Sequence, residues 1–203
     1  MNKALLALLV LGMLCSAATG QTTRPLDPWA ATVERFAAAT TQPDAHAAAA
    51  LASDAVTIRA FDSTRNEELA RVLERVADAK LVGAYAASHE PTGMASNIAE
   101  GIRASSAIPE ELKTYMVPPE DELPRANATA AKWLDTELEL RDGDRVGVIV
   151  LWCPKPGSAG ARQAQAADDR EWQLTFILLK GEPGRGTGEH RITTIVYGFP
   201  LAR

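Results

Sequence analysis

The chain is poor in the residues that usually announce chemistry. It holds two cysteines and three histidines among 203 residues, with only 5% aromatics. Two cysteines, one of them inside an apolar leader, exclude a disulfide framework. His46, His89 and His190 are scattered, with no HExxH or comparable spacing, so no metal site and no cofactor motif can be read from them. Positive charge is short as well: 21 Lys and Arg against 26 Asp and Glu give a net −5, without the basic face a nucleic-acid binder needs. No long hydrophobic run is present. Ala4 to Leu14 spans 11 residues, too few to cross a bilayer as a helix, so no membrane span is expected. No internal repeat is visible. The 46% hydrophobic content still suffices for one domain with a packed core.

What is present begins with an address. Lys3 supplies a positive start, and Ala4 to Leu14 the apolar stretch. Ala18-Thr19-Gly20 offers a small-residue site for cleavage before Gln21, with Ser16-Ala17-Ala18 as a second option. Residues 1–20 are therefore expected to be a signal peptide, and the protein to be exported, periplasmic or extracellular. Cys15 raises a lipid-anchored alternative, but the bulky Leu14 before it counts against acylation there. Cleavage removes Lys3 and no acid, which leaves the mature chain more acidic, with Cys153 as its one thiol. Such a domain must be stabilised by packing rather than by cross-links.

Residues 21–26 read as a polar leader to a single domain over 27–203. Asp27-Pro28 opens a helix, with an acceptor at the cap and proline in the first turn. Trp29, Val33, Phe36 and Ala37 recur at helical spacing. Asp44 starts a second, alanine-rich helix through Leu51. Ala55 to Phe61 alternates and is rich in β-branched residues, as a strand does. Thr64-x-x-Glu67 reads as a capping box at the head of a helix from about Arg65 into the Ala84 region. Within 87–125, helical pieces are expected around Ser96–Ser105 and Pro109–Met116, then an exposed connector marked by Pro118, Pro119 and Pro124. A short helix carries Trp133. Thr136 to Arg141 alternates as a half-exposed strand, and Asp142-Gly143 makes a hairpin turn. Val146 to Trp152 is so apolar that both of its faces must be covered. Trp172 to Leu179 and Ile192 to Phe199 complete the strands, with loops over Pro154–Asp169 and Gly181–Glu189. The expected class is α+β: N-terminal helices packed on one face of a curved antiparallel sheet, with a C-terminal four-stranded meander.

The first helix carries Trp29…Phe36-Ala37-Ala38-Ala39. Asp44…Ala47…Ala50-Leu51-Ala52-Ser53-Asp54-Ala55-Val56 then runs into the first strand. This pattern, together with the meander, resembles the cone-shaped α+β superfamily of nuclear transport factor 2, ketosteroid isomerase and the polyketide-cyclase-like proteins. The likeness covers about 30 residues at the front and about 65 at the back. About 70 residues separate Phe61 from the meander, where that superfamily usually has one short strand and one helix. The resemblance leaves residues 87–125 as a lid or an insertion over the cone mouth. It also implies a pocket between sheet and helices, used by some members for isomerisation, dehydration, hydrolysis or cyclisation and by others for binding alone. No member's catalytic set is matched here.

Each chemically able residue has a plainer role beside it. His46 and His190 suit surface or structural positions. His89, next to Glu90 in the presumed lid segment, is the histidine best placed to act as acid or base. Tyr197 alternates with Ile195 and Phe199 on the last strand, where its phenol can face a ligand or merely end the core. Trp152 and Trp172 share the parity of the apolar residues on their strands and are candidate ligand contacts. Cys153 lacks a histidine or cationic neighbour in sequence and reads as buried and inert. Asp54, Asp62 and Asp135 sit at element ends, as caps and turns do. Gly184-Arg185-Gly186-Thr187-Gly188 joins two strands and so lacks the helix N-terminus of a phosphate loop. Asn127-Ala128-Thr129 is a glycosylation sequon only in a host that uses one.

Three functional readings follow. The first is an exported, non-catalytic pocket or interaction domain for a small apolar ligand or a protein. The second is a lyase or isomerase-type enzyme in the same cavity, with His89 or Tyr197 at work; it requires two polar groups converging there. The third is a structural envelope protein burying its sheet against a partner or as a homodimer, which requires a large exposed apolar sheet face.

Overall fold

The computed structural model describes residues 27–42, 44–61, 63–87, 91–154, 172–183 and 190–198. The expected signal peptide, the polar leader, Asp62, His89 and most of the two late loops lie outside the described residues. The chain runs α1 (Pro28–Thr41), α2 (Ala45–Leu51), β1 (Ala52–Ala60), α3 (Leu69–Arg75), β2 (Lys80–Ala87), α4 (Met94–Ala104) and α5 (Glu110–Met116). A 3-10 turn (Glu120–Glu122) leads into α6 (Leu123–Leu138), and β3 (Arg145–Pro154), β4 (Trp172–Pro183) and β5 (His190–Tyr197) follow. The strands form one five-stranded sheet in the order β1-β5-β4-β3-β2. β2 through β5 pair antiparallel in sequence order, which makes the four-stranded meander; β1 joins its far edge parallel to β5. The fold is α+β.

β3 sets the layering. Successive strand residues point to opposite faces. Val146, Val148, Val150 and Trp152 pack into one core, and Ile149, Leu151 and Cys153 into the other. The two faces carry separate helical layers. α1, α2 and α3 cover the first with Trp29, Phe36, Leu51, Val72 and Leu73. α4 and α6 cover the second with Met94, Ile102, Leu134 and Leu138. The expectation of helices on one face is thereby corrected to both, because a strand with no polar face cannot leave either side to water.

The first layer is anchored by α1. Asp27 caps the helix, its carboxylate accepting from the Trp29 N–H at 3.0 Å. The Trp29 indole is fully buried, and its Nε1–H donates to the Val146 carbonyl at 2.7 Å, pinning the helix to the start of β3. Two glycines make room for it. A Cβ at Gly147 would sit 2.7 Å from Val33 Cγ2, and one at Gly181 would fall within the Trp29 ring. α2 is capped by Asp44, which accepts from the His46 and Ala47 N–H groups at 3.0 and 2.9 Å, and it passes directly into β1.

Two local expectations are corrected. The helix expected from Arg65 to Ala84 is only Leu69–Arg75, and Lys80–Ala87 is the first strand of the meander. The presumed capping box does not form: Asn66 bridges to Arg59, and Glu67 pairs with Arg75 at 3.0 Å. The free edge of β3 takes the next segment as a strand. Conversely, Thr136–Arg141 is not a strand. Its first part is the end of α6, because Leu134 and Leu138 share a helical face and both are buried. The helix stops at Glu139 in a left-handed conformation (φ 49°), and Asp142-Gly143 then turns the chain from helix to strand rather than from strand to strand. Pro124 stands in the first turn of α6 instead of in a connector.

Gly181→Ala should lower stability by about 1–3 kcal/mol through overpacking against the indole. Urea unfolding midpoints of Gly181→Ala, Trp29→Phe and the double variant check this: the smaller ring should recover part of the loss in the double variant.

Candidate functional site

Among the described residues, Tyr197 and the Trp152–Trp172 pair lie on opposite faces of the sheet. Tyr197 is buried on the face covered by α1–α3. Its hydroxyl accepts from Arg75 Nη1 at 2.5 Å, with the guanidinium carbon 5.2 Å from the ring centre and Glu67 beside both. Burial, and then the hydrogen bond to Glu67, push its phenol up to about 12. Arg75 joins the end of α3 to the end of β5 through this contact. Trp152 and Trp172 lie on the opposite face and stack on each other, centroids 6.2 Å apart and 14° between planes, with Lys80 Nζ 5.0 Å from the Trp172 ring centre. His46 is exposed in the first turn of α2. Cys153 is buried, and its thiol is pushed up to about 11 by that burial, against a smaller opposing hydrogen bond from Thr175. At neutral pH it is a protonated core residue.

His190 is half-buried at the start of β5, its ring 6.0 Å from Trp29, above a polar notch of about 280 Å³ that also meets Arg35 and Arg191. Among the described residues its Nδ1 has no hydrogen-bond partner. Burial, and secondarily the Arg145 charge, lower its pKa, while Asp27 acts in the opposite sense.

A larger cavity lies elsewhere. Between α4 and α6 opens a groove of about 520 Å³, floored by Val148 of β3 and Phe176 of β4. One wall is Met94, Ile98 and Ile102, at positions i, i+4 and i+8 of α4; the other is Ala126, Ala130 and Trp133 of α6. Small side chains on both helices keep the walls thin and leave the space open. Met116, the last residue of α5, and Pro118 just beyond it also line the groove. The two helices are clamped beside the groove: Asn127 Nδ2 donates to Ser96 Oγ at 2.8 Å, and Asn127 Oδ1 accepts from the Ser96 N–H at 3.1 Å. The sequon asparagine is thus engaged in a helix–helix contact. The charged side chains among the described groove residues are Glu122 and Arg125. Tyr85 stands outside the groove walls, its hydroxyl against Gly101 of α4, and burial, with the Glu100 charge second, raises its pKa.

Sequence reading missed this groove. Its walls carry a signal, since both helices repeat apolar residues on one face. The two repeats mean a cavity only once the sheet sets the helices side by side. Among the described residues no group of three His, Cys, Asp or Glu could hold a metal ion, and no helix is long and apolar enough to cross a membrane. No family model matches the chain, and no curated protein matches it.

Two outcomes follow. Tyr197→Phe should cost about 1 kcal/mol in stability by breaking the Arg75 contact, measured by thermal unfolding. Because the folded state disfavours charge on His190, the unfolded chain takes up this proton first as pH falls below the ordinary imidazole value of about 6.5, so stability drops there. Melting temperatures of the wild type and His190→Gln between about pH 7.5 and 5.5 should diverge, with the variant losing part of the slope.

Proposed function

We propose that the protein is an exported, non-catalytic pocket domain that binds a small apolar ligand in the groove between α4 and α6. The observation that carries this reading is the groove itself. Its volume of about 520 Å³ falls in the range of ligand pockets, and its floor and both walls are apolar. Kinship to the cone-shaped superfamily belongs to the same proposal. It is supported by the two capped N-terminal helices, the strand they lead into and the meander. The ligand site then sits under the inserted helices 94–138 rather than under the N-terminal pair.

The enzyme reading asks for two polar groups meeting inside a cavity. Tyr197 lies on the other face of the sheet, and the charged groove residues stand exposed at its rim. The envelope reading asks for an open apolar sheet face, and both faces here carry helices.

The test is binding of Nile red, a neutral apolar probe, to the purified chain. Saturable one-to-one binding is expected, and Ala130→Trp, which fills the groove, should weaken it at least about tenfold while the melting temperature stays near that of the wild type. Equal binding by a folded Ala130→Trp variant would place the ligand elsewhere.

A further inference from the structure

The groove changes character along α6. Glu122, Arg125 and Thr129 line it and are exposed, Ala126, Ala130 and Trp133 are half-buried, and Leu134 is buried. A ligand lying along this stripe has its body against the apolar wall and one end at an exposed, charged rim. The rim is not of one sign. Glu122 precedes Arg125 by three residues, about one turn, so the two heads are neighbours on the helix surface. Among the described residues neither is held in an ion pair. The carboxylate can only accept hydrogen bonds, and the guanidinium can only donate them.

We infer, resting on the groove being the ligand site, that its ligand is an uncharged amphiphile: an apolar chain or ring system ending in a head that both donates and accepts, of the carboxamide type. A carboxylate head would satisfy Arg125 but meet Glu122. An ammonium head would suit Glu122 and be repelled by Arg125. A carboxamide gives its N–H to Glu122 and its carbonyl to Arg125 and carries no net charge into either field. The rim charges are exposed, so their discrimination is moderate, and the apolar body supplies most of the affinity.

The experiment compares three ligands with the same ten-carbon chain, decanamide, decanoate and decylammonium, as competitors of Nile red on the purified chain at moderate salt. Decanamide is expected to displace the probe at about three- to tenfold lower concentration than either ion. Glu122→Gln should bring decanoate toward the amide and leave decylammonium behind; Arg125→Gln should do the reverse. The head-group inference is overturned if either ion matches or beats the amide, or if both variants leave the ranking unchanged while Nile red still binds. Absence of Nile red binding to the folded wild-type chain overturns the groove reading itself, and this inference with it.

Discussion

A strand that is apolar on both faces needs two coverings, and most of this architecture answers to that demand. From Val146 to Cys153 every side chain of β3 is buried. At about 25 cal/mol per Å² of apolar surface, leaving one face of such a strand in water would forfeit several kcal/mol, a large part of a domain's net stability. The N-terminal helices meet half of the requirement. The chain between β2 and β3 meets the other half, and this explains why so long a segment stands there. The groove is a by-product of how that second covering is made: α6 presents Ala126 and Ala130 where bulkier residues would have filled the gap.

The two layers differ in how they are fastened. α1 is pinned by a single indole whose N–H reaches the sheet backbone, over a floor of two glycines. Around the second layer, polar links act at its ends. Asn127 and Ser96 hold the two helices together, and Arg59 of β1 reaches Glu137 near the end of α6, bonding to its carboxylate at 3.1 Å and to its carbonyl at 2.7 Å. The cavity lies in the second layer.

Features written in a few neighbouring residues were legible in the sequence. Asp27-Pro28 and Asp44 announce their helices because capping is a local hydrogen-bond problem. The doubly buried β3 was legible from its composition, and so was the demand for cover on both faces. Lys80–Ala87 was not, since its strand state comes from pairing with β3, whose matching residues stand far along the chain, as in Lys80 with Trp152 and Ala87 with Val146. Leu138 fits a strand alternation with Leu140 and a helical face with Leu134 equally well, and only burial against the sheet decides between them. Tyr197 and the tryptophans were read correctly as sheet residues. Their packing on opposite faces, which keeps them from forming one site, follows from the register of β3, β4 and β5. The groove needed the relative placement of two helices, which no local pattern contains.

The position of the last strand has a temporal consequence. β5 is not an edge: it lies between β1 and β4, and among the described strands it is the one that β1 pairs with in the sheet. The first strand therefore has no sheet partner until the end of the chain has arrived, and Trp29 cannot find the Val146 carbonyl until β3 exists. Contacts of such long sequence separation make folding slow and leave the N-terminal half open during synthesis. A topology that withholds closure until the final strand builds a delay into the folding of its own first half.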